Sequence, residues 1–169
     1  MEKILVVIDM QRGTTESRYH EQYLNQRWRQ RYSLVINNIR SLINRVDTVI
    51  FLIHTDFRER EHLEIIRELR DVAKNRPVVF KNQDDGSEVL SAYLAAHGLM
   101  KGRLLLCGMN TDACVLRTVR GLVKKGFRPV VVGDACWTVY ASRSTGPHHD
   151  ALSRIRELGV SVIRTEMVR

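Results

Sequence analysis

The sequence predicts an α/β domain built on a parallel sheet of about six strands, and three observations carry that expectation. Short apolar, β-branched runs recur at fairly even intervals, and they are continuous rather than alternating, as in strands buried on both faces. The segments between them have helical period, with apolar residues returning at i, i+3, i+4 and i+7. The joints are short, and strand-helix alternation with short joints implies parallel pairing, because each parallel pair needs a crossover.

Taken in order, the strands are read at 4–8 (Ile-Leu-Val-Val-Ile), 49–53 (Val-Ile-Phe-Leu-Ile), 78–80 (Val-Val-Phe), 104–106 (Leu-Leu-Leu), 130–132 (Val-Val-Val) and 160–163 (Val-Ser-Val-Ile). Between the first two, Val35, Ile36, Ile39, Leu42, Ile43 and Val46 form one helical stripe. Further helices are expected over 61–73, 87–97, 112–125 and 145–158, the last stopping at Gly159, a favourable residue just past a helix end. No repeat or linker interrupts the pattern, so residues 1–169 read as a single domain of ordinary size.

Composition narrows the function classes. The 27 Lys and Arg against 19 Asp and Glu give a formal charge of +8, which favours encounter with anions but, without a block of like charges, reads as a solvated surface. Cys107, Cys114 and Cys136 are an odd set behind no secretory leader, which suits a reducing cytoplasm better than a disulfide framework. No apolar run approaches the ~20 residues of a membrane span, so no membrane partner is expected. The glycine patterns of dinucleotide folds, phosphate loops and serine nucleophile elbows are missing, and so is any Cys-x-x-Cys pair.

Open parallel sheets place their chemistry beyond the carboxyl ends of the strands. Three distinct groups stand there: Asp9 after the first strand, Lys81 after the third, and Cys114 where the loop after the fourth strand enters a helix. Singly, each has a bland explanation as a cap, a solvated cation or a small buried side chain. Together they make an activated nucleophile. Helix N-terminal amides and a nearby ammonium favour a thiolate, and a carboxylate within reach can take the thiol proton.

The stretch Val6-Val7-Ile8-Asp9-Met10-Gln11, Lys81 after Val78-Val79-Phe80, the run Gly108-Met109-Asn110-Thr111-Asp112-Ala113-Cys114-Val115, and Gly133-Asp134-Ala135-Cys136 resemble the isochorismatase-like cysteine hydrolases. That superfamily includes nicotinamidases, carbamoylsarcosine amidases, ureidoacrylate amidohydrolases and isochorismatases. The resemblance runs through nearly the whole chain, as far as His149 and the last strand. It implies a three-layer α/β/α fold with sheet order 3-2-1-4-5-6, a catalytic triad of Asp9, Lys81 and Cys114, and a cis peptide at Met109–Asn110. It also implies an oxyanion hole formed by the Asn110 and Cys114 amides, and an acyl-enzyme route to cleavage of a C–N bond in a small amide, urea or carbamoyl compound. Gln11, Phe57 and Met109 are weaker candidates for the substrate pocket, with Trp28, Trp137 and Tyr140 suggested by position alone.

Two departures from that pattern matter. Nicotinamidases of the superfamily hold a metal after the second strand, whereas His54-Thr55-Asp56-Phe57-Arg58 places Arg58 where a ligand His would stand; Asp56 and His62 remain, and the expectation is no metal and no other cofactor. The segment Arg18-Tyr19-His20, Tyr23, Arg27-Trp28-Arg29, Arg31-Tyr32 interleaves cations and aromatics, as lids and subunit contacts do, and nucleic acid is the weakest of its readings. Its cations favour an anionic small-molecule substrate, and a homo-oligomer is expected from the commonness of symmetric assemblies. The alternatives are a vinyl-ether hydrolase using Asp9 as an acid with no covalent step, and a non-catalytic binding protein.

Overall fold

The computed structural model describes residues 1–15, 26–56, 59–139 and 146–169, with no side-chain description at 26–28. Its six strands are β1 (Lys3–Ile8), β2 (Thr48–His54), β3 (Val78–Lys81), β4 (Arg103–Gly108), β5 (Val130–Cys136) and β6 (Ser161–Ile163). They form one sheet in the order β3-β2-β1-β4-β5-β6, every neighbouring pair parallel. The order reverses between β1 and β4, the position where open sheets of this type leave a crevice.

The helices are α1 (Arg12–Thr15), α2 (Gln26–Ile43), α3 (Arg67–Ala73), α4 (Ser87–Ala96), α5 (Leu116–Lys124) and α6 (Gly146–Glu157). Right-handed crossovers put α2 and α3 on one face of the sheet and α4, α5 and α6 on the other. Contacts agree: α2 packs on β1, β4, β5 and α3, while α5 packs against both α4 and α6. The expected stripe does this work, Val35, Ile36, Ile39, Leu42 and Ile43 all being buried on α2.

Continuous apolar runs are buried on both faces in β1, β2 and β4. The two edge strands depart from that expectation. In β3, Val78 and Phe80 are exposed while Val79 and Lys81 are buried, because an edge strand lies beyond the helical layer on one face. In β6 no residue is fully buried.

The helix expected over 61–73 is two elements. A 3-10 turn, Arg60–Leu63, is followed by an extended stretch before α3 begins. Pairing with the chain after β1 interrupts the helix: Gln11 bridges Ile65, the Arg12 N–H donates to Glu64 O, and the Ile66 N–H donates to Met10 O. Likewise the helix expected over 112–125 begins as a π-helical turn, Thr111–Val115, continuing into α5.

Candidate active site

Asp9 is the first residue past β1 and has φ of 49°, a left-handed conformation uncommon for Asp; its N–H still donates to Leu52 O of the neighbouring strand at 2.8 Å. The hydrogen bond holds the residue in a sparsely populated region, and the side chain is turned inward, 1% exposed. Lys81, the last residue of β3, is equally buried and brings its Nζ to 2.9 Å from Asp9 Oδ2. The same ammonium donates to the carbonyls of Gln83 (3.1 Å) and Asp84 (3.4 Å), so all three of its protons have acceptors. Besides Lys81, the Asp9 carboxylate meets the Cys114 thiol, which acts on it as a hydrogen-bond donor, so the group placed to take the thiol proton is already in contact with it.

Cys114 lies in the π-helical turn, buried but at the edge of the site, and Asp9 and Lys81 both act on its thiol electrostatically. The three groups singled out from the sequence therefore meet. Burial pushes Asp9 above the usual carboxylate range, with Lys81 and the thiol opposing that shift. The Cys114 thiol is pushed up, first by burial and then by Asp9, with only Lys81 working the other way. Burial and the two carboxylates thus work against the thiolate that helix amides and Lys81 were expected to favour, and the carboxylate expected to take the thiol proton stands beside the sulfur.

The turn itself is held by a cis peptide at Met109–Asn110 and by Gly108, whose φ is 116°. A Cβ on Gly108 would stand 2.1 Å from Ile8 O, so only glycine lets β4 approach β1 this closely. The N–H groups of Thr111, Ala113 and Val115 donate to Trp137 O, Asn110 O and Asn110 O, while the Asn110 N–H has no acceptor among the described residues. The Asn110 Oδ1 accepts from the Val139 N–H at 3.0 Å, fixing the loop after β5 against the turn. Thr111 Oγ1 and His148 Nδ1 stand 2.9 Å apart, tying the turn to α6.

Of the weaker pocket candidates, Gln11 is fully buried and its amide is engaged at both ends: Nε2 donates to His54 O (2.8 Å) and His62 O (3.1 Å), and Oε1 accepts from the His54 N–H (2.8 Å). It clamps the chain after β2. Met109 is fully buried in the core, as is Trp137 at 5% exposure. Phe57, Arg58 and Tyr140 lie outside the described residues, as do residues 16–25 of the Arg18 to Tyr32 segment. The described remainder of that segment belongs to α2, where Arg29 and Arg31 are exposed and Tyr32 packs on the core. Cys107 and Cys136 are buried, unpaired and pushed up by desolvation. Near the expected metal position, Glu59, Glu61 and His62 offer ligand atoms within 4.8 Å of one another, but the acids are exposed and Asp56 is not among them.

Sequence reasoning missed Asp84. Its Oδ1 is 3.5 Å from Cys114 Sγ and 3.6 Å from His54 Nε2, and Arg117 of α5 holds Oδ2. The available signal was the acidic pair Asp84-Asp85 three and four residues beyond Lys81, on the same sheet edge as the triad.

A family model for the isochorismatase domain matches residues 3–167. "Isochorismatase domain-containing protein 2" of Xenopus laevis is 40% identical over 65 residues, 38% of this chain and 30% of that protein; the Homo sapiens protein of the same name is 38% identical over 63 residues, 37% and 29%. The matched stretch therefore spans less than a third of these relatives. Among solved structures, a cysteine hydrolase from Pseudomonas syringae pv. phaseolicola superposes with a TM-score of 0.79 at 19% identity, covering 99% of this chain and 90% of that one. The nicotinamidase of Bacillus subtilis gives 0.74 at 22% identity (97% and 100%), and the N-carbamoylsarcosine amidase of Thermoplasma acidophilum 0.74 at 20% (100% and 99%).

Proposed function

The chain belongs to the isochorismatase domain family, and from that premise we propose that it is a cysteine hydrolase that cleaves the C–N bond of a small amide, urea or carbamoyl compound through an acyl-enzyme. The observation that carries this reading is the convergence of Asp9, Lys81 and Cys114 at the switch point of the sheet, with Lys81 Nζ 2.9 Å from the Asp9 carboxylate. Asp9 accepts the Sγ proton as sulfur attacks the substrate carbonyl, and the oxygen moves toward the Asn110 and Cys114 amides. The C–N bond then breaks, and Asp9 returns the proton to the leaving nitrogen. Water, losing a proton to the same carboxylate, cleaves the C–S bond and releases the acid, and Asp9 passes that proton back to the freed sulfur. Lys81 keeps Asp9 placed and charged while burial keeps it basic.

The anionic substrate expected from the 18–32 cations is not favoured at the sulfur itself, where Asp9 and Asp84 balance Lys81 and Arg117. A symmetric homo-oligomer and a reducing, cytoplasmic setting, which suits three free thiols, complete the proposal; sedimentation velocity decides the first. A second reading, acid-catalysed vinyl-ether cleavage, draws on the raised Asp9, which holds its proton closer to neutrality than a free carboxyl does.

One experiment tests the first reading. Purified protein is screened for ammonia release from primary amides, ureas and carbamoyl compounds, with intact-mass detection of an acyl adduct, beside Cys114→Ala. Turnover that vanishes in the variant, with an adduct on Cys114 in the wild type, supports the proposal. Undiminished ammonia release in Cys114→Ala overturns it; the acid route has its own readout, vinyl-ether cleavage that survives Cys114→Ala and is lost in Asp9→Asn.

A further inference from the structure

Resting on the cysteine-hydrolase reading, we propose that Asp84 is the specificity-determining residue of this site, selecting substrates whose reacting end carries a neutral N–H donor and rejecting those with a carboxylate beside the scissile carbonyl. The geometry points to this through what surrounds one oxygen. Asp84 Oδ1 lies 3.5 Å from the Cys114 sulfur, within the space a carbonyl carbon must enter to be attacked. The side chain is a third exposed, so it is open to solvent on one side rather than enclosed in the core.

Its position is enforced from several directions. Arg117 holds Oδ2, the Asp84 carbonyl accepts from Lys81 Nζ and from Thr118 Oγ1 (3.3 Å), and the Gly86 N–H donates to that same Thr118 hydroxyl at 3.0 Å. A carboxylate beside the thiol holds its proton on, which opposes catalysis, so its placement calls for a compensating role. An acceptor-only group supplies one when a substrate N–H arrives: the donor takes Oδ1, the thiol loses that acceptor, and Asp9 remains to receive its proton. A substrate carboxylate at the same point meets like charge instead, at a distance where the repulsion is strong. The other charged or titratable groups facing the oxygen are His54, whose ring burial disfavours charging, and Arg117.

The test compares iodoacetamide, neutral with an N–H donor, and iodoacetate, its anionic counterpart, as alkylating agents of the full chain at about pH 9. Each adduct is assigned to Cys114 by peptide mass, and rates are divided by those of glutathione in the same buffer. The wild type is expected to favour iodoacetamide by about tenfold or more beyond glutathione. That preference should collapse toward the glutathione ratio in Asp84→Asn, and grow in Arg117→Met, which leaves the carboxylate uncompensated. A wild-type ratio equal to that of glutathione, or one unchanged in both variants while Cys114 still reacts, overturns the role of Asp84 and leaves the nucleophile standing. No adduct on Cys114 with either reagent, above the Cys114→Ser background, overturns the thiol chemistry and this proposal with it.

Discussion

At the scale of single residues, the site depends on groups whose protonation is set by burial. The Cys114 thiol, pushed up by desolvation and by Asp9, should react slowly with iodoacetamide at neutral pH in the absence of substrate, its rate rising only above the ordinary thiol range near ~8.5. Replacing Asp84 with Asn removes one of the charges that raise it, so the profile of that variant should shift to lower pH. A plateau below pH 7 in the wild type would contradict the first statement, and an Asp84→Asn profile that does not move would contradict the second. His148 gives an independent pH effect. Burial, with His149 and Arg31 adding to it, pushes its ring from 6.5 down to about 4, so the folded protein holds it neutral where an unfolded chain would protonate it. The unfolded state therefore binds more protons between those values, and stability is lost as pH falls from about 6.5 toward 4, by roughly 2–3 kcal/mol. His148→Asn, which can keep a partner for Thr111 Oγ1, should flatten that part of the curve in urea titrations run across the range.

At the scale of elements, two short connections decide whether the triad assembles. The Gln11 amide joins the end of β1 to the backbone of His54 and His62 through three hydrogen bonds inside the core. Gln11→Leu leaves those backbone groups without their partner, and should destabilise the protein by about 2–4 kcal/mol in chemical denaturation. It should also loosen the chain between β2 and α3, measurable as faster amide exchange at His54 and Ile66. Gly108 is the corresponding point on β4. Any side chain there collides with the Ile8 backbone at a positive φ, so Gly108→Ala should cost more stability than an ordinary strand glycine and reduce hydrolysis, by displacing the turn that carries Cys114. Neither contact was legible as such. Asp-Met-Gln after a strand was visible as a motif, but which backbone the Gln side chain would clamp depends on a β-bridge between residues 54 positions apart, Gln11 and Ile65.

At the scale of the whole molecule, the sheet's core and its edges should respond differently to the same kind of change. Phe51, fully buried in β2, should lose about 3–5 kcal/mol on replacement by Ala, whereas Phe80, half exposed on the edge strand β3, should lose less than about 1 kcal/mol. Equal losses would mean that Phe80 is covered in solution, as a subunit contact would cover it. The sequence by itself determined the strand count, the parallel pairing and the candidates Asp9, Lys81 and Cys114, because periodicity is a local property and the carboxyl ends of strands are where a parallel sheet exposes its chemistry. Tertiary structure alone decided three further things. Pairing with the chain after β1 broke the helix expected over 61–73, the sheet edge exposed Val78 and Phe80, and the turn after β3 carried Asp84 to the sulfur. Each depends on residues distant in sequence becoming neighbours, and burial then pushed both Asp9 and Cys114 upward from the ranges their types have in water.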